Sequence, residues 1–236
     1  MGRLIMGKNC IAELLEREPE RLVEVYTAHS SGDLFDALKR AHVRVHDRSK
    51  GALSKMVDSD SHQSFVARVN ERPTVDLKQF LSVEREKSLV VMLDSIFDPH
   101  NMGAILRAAE CFGADLVVYS KNRGTDITPT VTKTSAGATE LVPLCKVSNL
   151  AETVTVFQKG DYWAVAAELS KRSQPLSQLQ FPEKTLLIVG SEGKGIQPLI
   201  SKRCDHHVEI PMLGKIDSLN VSQATAVLLA AYRSHH

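Results

Sequence analysis

The feature of this 236-residue chain that most restricts its fold is a series of short, continuous apolar segments. The first, at residues 89–93, reads Leu-Val-Val-Met-Leu and ends at Asp94. Segments that are apolar at every position are typical of parallel strands buried on both faces of a sheet. Further segments of this kind follow at residues 116–119, 141–144, 163–167, 186–189 and 208–210. Because helical patterns separate most of them, the sequence predicts an α/β fold with a mostly parallel sheet.

A smaller α/β pattern precedes this series. Strand-like alternation occurs at residues 22–26, 43–46 and 64–69, and a helical pattern covers residues 34–41. After residue 70 the chain becomes polar, contains a proline and then carries many charges. We therefore predict a small domain at residues 1–70, a linker at residues 71–88 and a second domain at residues 89–236.

The charge balance narrows the classes of function. Lys and Arg total 29 and Asp and Glu total 28, which gives a net charge of +1. That balance excludes a generally basic nucleic-acid coat and an acidic disordered chain, but it leaves room for a local basic patch. No apolar segment reaches the roughly 20 residues of a membrane-spanning helix, and the N-terminus has no signal-peptide pattern, so we expect no membrane contact.

The cysteines point to a reducing compartment. Four cysteines lie far apart in the chain and form no C-x-x-C pair: Cys10, Cys111, Cys145 and Cys204. This spacing favours neither a disulfide framework nor a zinc site, so a cytoplasmic location and the absence of a metal are expected. The nearby His206 and His207 are interpreted as part of an ordinary strand edge, because adjacent residues on a strand face opposite sides.

Ligand sites of parallel sheets lie at the carboxyl ends of the strands, so the loops after the strands come next. The first loop contains Asp98 and Pro99, which break the chain, and Asn101, which we predict to cap the following helix. Arg107 lies off the apolar stripe of that helix, and its side chain tilts back towards the helix N-terminus. A plain cap and a solvated arginine remain the alternative interpretations of Asn101 and Arg107.

Two later loops are also distinctive. Residues 190–195 read Gly-Ser-Glu-Gly-Lys-Gly, which matches neither a dinucleotide fingerprint nor a Walker A loop, but its glycines allow a ligand to approach the backbone. Asn220 with Gln223 resembles a capping box, and the helix after it is apolar nearly all round, which favours burial against another subunit. A structural turn and a capped core helix are the alternatives.

Taken together, the three loops resemble the three signature motifs of the SpoU branch of the SPOUT RNA methyltransferases. The resemblance covers residues 89–235 in the correct order: Asp98 to Ala104 with Arg107, then Gly190 to Gly195, then Ile210 to Met212 with Ser218 to Ser222. It implies transfer of a methyl group from S-adenosylmethionine to a ribose 2′-hydroxyl of RNA, without a metal. It also implies a deep trefoil knot in the C-terminal domain and a homodimer formed through that domain.

The N-terminal residues extend the resemblance. Residues 6–15 and 61–69 look like the ribosomal-protein-L30e-like RNA substrate-binding domain of one subgroup, which methylates a guanosine ribose in bacterial 23S ribosomal RNA. This chain departs from that subgroup at Ser64, where glycine is usual, and at Ser135, where another small residue is frequent. A tRNA ribose methyltransferase and a non-catalytic RNA-binding protein of the L30e type are the competing interpretations.

The resemblance also implies roles for individual residues. The implied catalytic residues are Arg107, Asn101, Glu192, Ser218 and Asn220. Those implied to bind the cofactor are Gly190, Ile210, Leu219, Ala136, Gly137, Met212 and Ser218. Those expected to contact RNA are Arg107, Lys133, Arg123, Lys194, Lys8 and His62. Because an arginine stays protonated at accessible pH, we expect Arg107 to act electrostatically rather than as a base.

Overall fold

The computed structural model describes residues 2–191 and 193–236. Its strands are β1 (Arg3–Met6), β2 (Leu22–Thr27), β3 (Arg44–Asp47), β4 (Phe65–Val69), β5 (Ser88–Asp94), β6 (Leu116–Ser120), β7 (Leu144–Val147), β8 (Trp163–Ala167), β9 (Gln174–Pro175), β10 (Lys184–Gly190) and β11 (His206–Glu209). Its α-helices are α1 (Lys8–Arg17), α2 (Asp33–Arg40), α3 (Lys50–Val57), α4 (Leu77–Ser82), α5 (Pro99–Cys111), α6 (Pro129–Thr134), α7 (Leu150–Gln158), α8 (Pro198–Ser201) and α9 (Val221–His235).

These elements form two compact units. The first contains residues 2–73 together with Asp126–Leu141, and the second contains Thr74–Thr125 and Val142–His236. Residues 126–141 therefore pack with the N-terminal part of the chain, although they lie within the range 89–236 of the sequence-based division. Much of the segment 71–88 is ordered in the second unit, because it includes α4 and the buried Phe80.

The first unit is built on a four-stranded mixed sheet. Within the described residues its strand order is β1-β4-β2-β3, with β2 and β3 parallel and the other pairs antiparallel. Its core combines apolar residues of the sheet with α1 and α2 on one face, and with α3 on the other. The predicted strands at residues 22–26, 43–46 and 64–69 are confirmed within one or two residues, whereas β1 and α3 were not predicted.

The second unit carries the parallel sheet that the apolar segments predict. Seven strands are described, in the order β7-β6-β5-β10-β8-β11-β9, and every neighbouring pair is parallel. Central β5 is buried along its whole length, as expected for a strand covered on both faces. The α/β class and the strands near residues 89, 116, 163, 186 and 208 are confirmed.

One predicted strand is misplaced. The apolar residues 141–144 were expected to form it, but β7 begins only at Leu144. Ala138–Glu140 forms a short 3₁₀ turn just before, and Pro143 supplies no backbone N–H for a ladder. The apolar side chain of Val142 is nevertheless buried, which explains why the pattern was misleading.

Helices α5 and α9 pack against each other in the second unit. Within residues 2–191 and 193–236, no helix has the length and hydropathy that crossing a membrane requires.

Candidate active site

The first loop of the site begins at a fully buried carboxylate. Asp94 ends β5 and has no exposed surface. Its carboxylate accepts hydrogen bonds from the backbone N–H of Gln197 (2.7 Å), from Gln197 Nε2 (2.6 Å) and from Ser95 Oγ (2.9 Å). Asp94 thereby ties the end of β5 to the segment after the glycine-rich loop. Sequence reasoning missed this pair, because 103 residues separate its members.

The cap of α5 corrects one prediction. Asp98, not Asn101, is the N-cap: its carboxylate accepts the backbone N–H of His100 at 2.8 Å, and Pro99 occupies the first helical position. Proline is favoured there because its missing N–H would have no helical partner. The Asp-Pro dipeptide was therefore the proper signal for the start of the helix, three residues before Asn101.

Because Asp98 caps the helix, the Asn101 side chain is available to link two of the motifs. Asn220 Nδ2 donates a hydrogen bond to Asn101 Oδ1 at 2.9 Å. Asn220 also caps α9 as predicted, since its Oδ1 accepts the backbone N–H of Ser222 at 2.9 Å and the Ser222 hydroxyl at 2.6 Å. The first and third motifs thus meet through two amide side chains, although 119 residues separate them in the chain.

Arg107 lies on the exposed face of α5, while its neighbours Ile105 and Leu106 are completely buried. Within the described part of the chain, its guanidinium forms no hydrogen bond and no ion pair. An exposed cation whose donors are all free is able to receive an anion from a ligand. This placement agrees with the expected side of the helix.

The glycine-rich loop folds tightly back onto the end of β10. A Cβ atom at Gly190 would lie 2.2 Å from the carbonyl carbon of Gly195, so no other residue fits there without a shift of the backbone. The loop is closed by a hydrogen bond from Gly195 N–H to the Ser191 carbonyl at 2.8 Å, and Gly195 has a left-handed φ of 62°. The predicted catalytic Glu192 lies outside the described residues.

The loop between β11 and α9 borders a cavity of about 500 Å³. Four of the predicted cofactor-binding residues line it: Ile210, Met212, Ser218 and Leu219. Its size falls within the range of small-molecule sites. The opposite wall comes from residues 167–169, at the carboxyl end of β8, and from α9. The Ser218 hydroxyl is exposed and donates to Asp217 Oδ1 at 3.2 Å.

Two other predicted cofactor residues belong to the first unit. Ala136 and Gly137 form the turn after α6, with left-handed φ angles of 52° and 97°. Gly137 packs against α1, where a Cβ atom would be 3.5 Å from Cys10 Cα. Neither residue is among those that line the cavity of the second unit.

The residues of the first unit that are predicted to contact RNA differ in their exposure. Lys8 is exposed, and its backbone N–H donates to Gln63 Oε1 at 3.0 Å. Lys133 passes beside the same turn, because a Cβ atom at Gly7 would be 3.5 Å from Lys133 Cγ. Lys133 therefore lies beside the residue that precedes Lys8, and the Lys8 backbone contacts the loop that contains His62.

His62 itself is buried and fully engaged. Its Nδ1 accepts the backbone N–H of Ser64 at 3.0 Å, and its Nε2 lies 3.1 Å from Ser54 Oγ. This arrangement opposes a direct RNA contact of the ring and gives His62 the role of holding its loop. Gln63 and Ser64 both have left-handed φ, which explains in physical terms why glycine suits position 64.

The remaining predicted RNA contacts lie in loops of the second unit. Arg123 Nη1 donates to Gln197 Oε1 at 2.7 Å, so it joins the residue that Asp94 holds. The loop after β6 is also fastened to the first motif, since Thr125 N–H donates to the Ile96 carbonyl at 2.8 Å. Lys194 is exposed in the glycine-rich loop.

Three of the four cysteines are buried, and Cys111 is exposed. Burial, followed by the nearby Glu168 carboxylate, raises the pKa of the Cys204 thiol to about 12. Burial also raises the pKa of Cys10 and of Cys145. Among residues 2–191 and 193–236, no group of three or more His, Cys, Asp and Glu side chains is arranged to hold a metal ion.

Comparison with known proteins identifies the family. The model of the SpoU rRNA Methylase family matches residues 88–230. A second model, described as RNA 2'-O ribose methyltransferase substrate binding, matches residues 4–75. The chain belongs to the SpoU rRNA methylase family, and the resemblance of the three motifs is thereby confirmed.

Curated relatives span nearly the whole chain. A protein named 23S rRNA (guanosine-2'-O-)-methyltransferase RlmB from Salmonella typhimurium is 34% identical over 97% of each chain. The protein of the same name from Yersinia pestis is 35% identical over 97% of this chain and 96% of its own. Among solved structures, the SpoU methyltransferase AviRb from Streptomyces viridochromogenes in complex with AdoMet has a TM-score of 0.81 and 24% identity. That match covers 98% of this chain and 89% of AviRb, and it confirms the fold.

Proposed function

We propose that this protein is an RNA 2′-O-methyltransferase that uses S-adenosylmethionine to methylate the ribose of a guanosine in 23S ribosomal RNA. Family membership and the names of relatives that match 97% of the chain support the reaction and the substrate. The structural observation that carries the proposal is the convergence of the motifs. One cavity is lined by four predicted cofactor residues, and Asn220 links that loop to Asn101.

We assign the residues as follows. Ile210, Met212, Ser218 and Leu219 hold the cofactor, and Gly190 lets the glycine-rich loop close beside the strand end. S-adenosylmethionine supplies a methyl group bonded to a sulfonium sulfur, which a ribose oxygen can attack in line. Most of the rate enhancement then comes from holding the two substrates in that geometry.

Arg107 is assigned an electrostatic role. Its free guanidinium is placed to neutralise the phosphate next to the target ribose or the alkoxide that develops on the 2′-oxygen. The proton leaves to a neighbouring group or to water, because the guanidinium stays charged. Asn101, Asn220 and Ser218 orient the ribose and Arg107, and Glu192 is assigned to the same group by resemblance.

The first unit is assigned to substrate binding. We propose residues 1–70 as the RNA-binding domain, 71–88 as its connection and 89–236 as the methyltransferase domain. The matches of the two family models to residues 4–75 and 88–230 support a division of this kind. Lys8 and Lys133 in the first unit, and Arg123, Lys194 and Arg107 in the second, supply positive charge for RNA. Such recognition depends on RNA shape and needs fewer cations than coating a duplex.

We further propose a homodimer that forms through the methyltransferase domain, a trefoil knot in that domain, and a cytoplasmic location, where ribosomal RNA is found. Apolar side chains on α9 and in the loop before it support the dimer, because Val227 is 40% exposed, Leu213 99% and Ile216 76%. Exposed apolar side chains of this kind mark association surfaces. Analytical ultracentrifugation of the wild-type protein and of Val227→Glu tests the dimer. The wild type should sediment as a dimer, and the variant should dimerise more weakly.

The decisive experiment measures methyl transfer from labelled S-adenosylmethionine. Ribosomal RNA and tRNA, both unmethylated, are supplied separately, and the modified ribose is mapped. We expect label at a guanosine of 23S ribosomal RNA, and a loss of at least 10²-fold in Arg107→Ala with an unchanged circular dichroism spectrum. Lys202→Ala, which removes an exposed cation elsewhere in the second unit, is the matched control. Label confined to tRNA would overturn the substrate, and a folded Arg107→Ala of normal activity would overturn the assignment.

A further inference from the structure

A hydrogen-bonded carboxylate that lies outside the three motifs forms part of the cavity wall. Glu168 follows the last residue of β8 and lines the cavity together with Ile210 and Leu219. One oxygen, Oε1, accepts the Ser201 hydroxyl at 2.7 Å and lies 2.8 Å from His207 Nδ1. The Glu168 side chain is only 15% exposed, so these two partners fix it in place.

The second oxygen of Glu168 is free and accessible. Within residues 2–191 and 193–236, Oε2 accepts no hydrogen bond. In that part of the chain, His207 Nε2 is the one side-chain nitrogen or oxygen that is both fully buried and without a partner. Because Oε2 has no partner either, it must have some exposed surface. A carboxylate oxygen that is accessible, oriented and without a partner is an acceptor prepared for a ligand.

The network behind Glu168 serves to orient it. His207 is 6% exposed and has no described partner except Glu168, so its Nδ1–H is committed to that carboxylate. Arg172 Nη2 donates to Ser201 Oγ at 3.1 Å, which directs the Ser201 hydroxyl proton towards Glu168. A buried imidazole whose second nitrogen has no partner costs free energy, which a purely structural contact would not justify.

We propose that Glu168 Oε2 accepts a hydrogen bond from a ribose hydroxyl of S-adenosylmethionine, and that His207 and Ser201 are positioning residues for it; this rests on the proposed function. In dinucleotide-binding α/β proteins, an acidic side chain accepts a hydrogen bond from a ribose hydroxyl of the ligand. Of the other acidic residues at this cavity, Asp217 is exposed, so it is less restricted than Glu168.

Calorimetric titration with S-adenosylhomocysteine and its 2′-deoxy and 3′-deoxy analogues tests the hydrogen bond. In the wild type, removal of the hydroxyl that Glu168 binds should weaken affinity about tenfold to 100-fold, as for a hydrogen bond to a charged group. Glu168→Gln and Glu168→Ala should bind S-adenosylhomocysteine correspondingly more weakly, and Glu168→Ala should no longer distinguish the analogues. If the wild type binds all three compounds equally, or if Glu168→Ala still distinguishes them, the proposal is wrong. If the wild type binds none of them, the proposed function fails as well.

A second set of variants separates positioning from stability. His207→Phe removes the donor to Glu168, whereas His207→Asn offers an amide donor in its place. We expect His207→Phe to raise KM for S-adenosylmethionine several-fold with little change in kcat, and His207→Asn to restore part of it. His206→Phe is the matched control, since His206 is the preceding residue of β11 and packs on Trp163 instead. Equal KM values for His207→Phe and His206→Phe, at equal thermal stability, would contradict the positioning role.

Discussion

Among residues 2–191 and 193–236, each unit buries one carboxylate almost completely, but the two carboxylates are stabilised in different ways. In the first unit, Glu140 is 2% exposed and is paired with the guanidinium groups of Arg3 and Arg21, the latter at 2.6 Å. In the second unit, Asp94 is wholly buried and receives only neutral donors, two from Gln197 and one from Ser95.

The difference indicates what each carboxylate does. A charge balanced by two arginines joins distant parts of the first unit, since 137 residues separate Glu140 from Arg3. Buried ion pairs of this kind stabilise little by themselves, but they are costly to break because a charge is left behind. Asp94 is held by amide and hydroxyl groups and lies beside the loops of the proposed active site. Its position therefore favours a role in fixing those loops.

The largest expected effect is that of Glu140→Gln. The substitution keeps the shape of the side chain but leaves Arg3 and Arg21, 18% and 11% exposed, without their anion. The free energy of unfolding should fall by about 3–5 kcal/mol, measured by urea denaturation. Glu13→Gln is the matched control: it breaks an exposed ion pair with Arg17 and should cost less than about 1 kcal/mol. Equal losses in the two variants would show that burial of the Glu140 pair is without consequence.

Asp94→Asn should have a smaller effect on stability and a larger one on catalysis. The amide can still accept one hydrogen bond, but its NH₂ group faces a donor of Gln197, which costs about 1–3 kcal/mol. Because Gln197 follows the glycine-rich loop, KM for S-adenosylmethionine should rise. Steady-state kinetics measures the change in KM, and urea denaturation measures the change in stability. A variant with lower stability and unchanged kinetics would show that Asp94 has only a structural role.

The buried hydroxyl group of Tyr232, in the second unit, allows a test by pH. The Tyr232 hydroxyl donates to the Glu183 carbonyl at 2.7 Å, and burial raises its pKa to about 12. Its folded-state pKa is above the unfolded value near 10, so its stabilisation is complete below about pH 9 and is lost as the pH rises towards 12. Urea denaturation from pH 8 to pH 11.5 should show the gap between wild type and Tyr232→Phe narrowing with rising pH. A constant gap would show that folding does not raise the pKa of Tyr232.

The smallest effect concerns the rate of thiol alkylation. Cys111 is exposed, whereas Cys10 is buried, and burial followed by the Glu140 charge raises its pKa. Iodoacetamide should therefore modify Cys111 first and Cys10 only through opening of the first unit. In Glu140→Gln, Cys10 should react faster, while Cys204 in the second unit should not. Mass spectrometry of tryptic peptides over time resolves the sites, and faster alkylation of Cys204 in this variant would contradict the separation of the two units.

The sequence predicted the elements whose cause is local. Continuous apolar segments placed β5, β8 and β10 correctly, because full burial in a parallel sheet requires an apolar residue at nearly every position. The Asn220 cap was also readable, since a cap depends on neighbouring backbone groups. The start of α5 was misread, although the local signal of Asp98 and Pro99 was present.

The parts that could not be predicted depend on contacts between distant residues. Nothing near Asn101 shows that its partner is Asn220, and nothing near Asp94 indicates Gln197. Likewise, Glu168 has no special neighbours in the chain, and only the packing of β8 beside β11 brings it to His207. The motif resemblance located the proposed site, but the support behind its residues is a property of the folded chain.

The discontinuity of the first unit has a consequence for how the protein is made. The chain leaves this unit at Pro73, re-enters it at Asp126 and leaves it again at Leu141. A nascent chain that has emerged only as far as residue 73 contains Arg3 and Arg21 but not Glu140, the anion that lies between them. The domain that is synthesised first is therefore completed only after β5 and β6 of the second sheet have also left the ribosome. The first unit therefore cannot be completed during translation until part of the other unit has been synthesised.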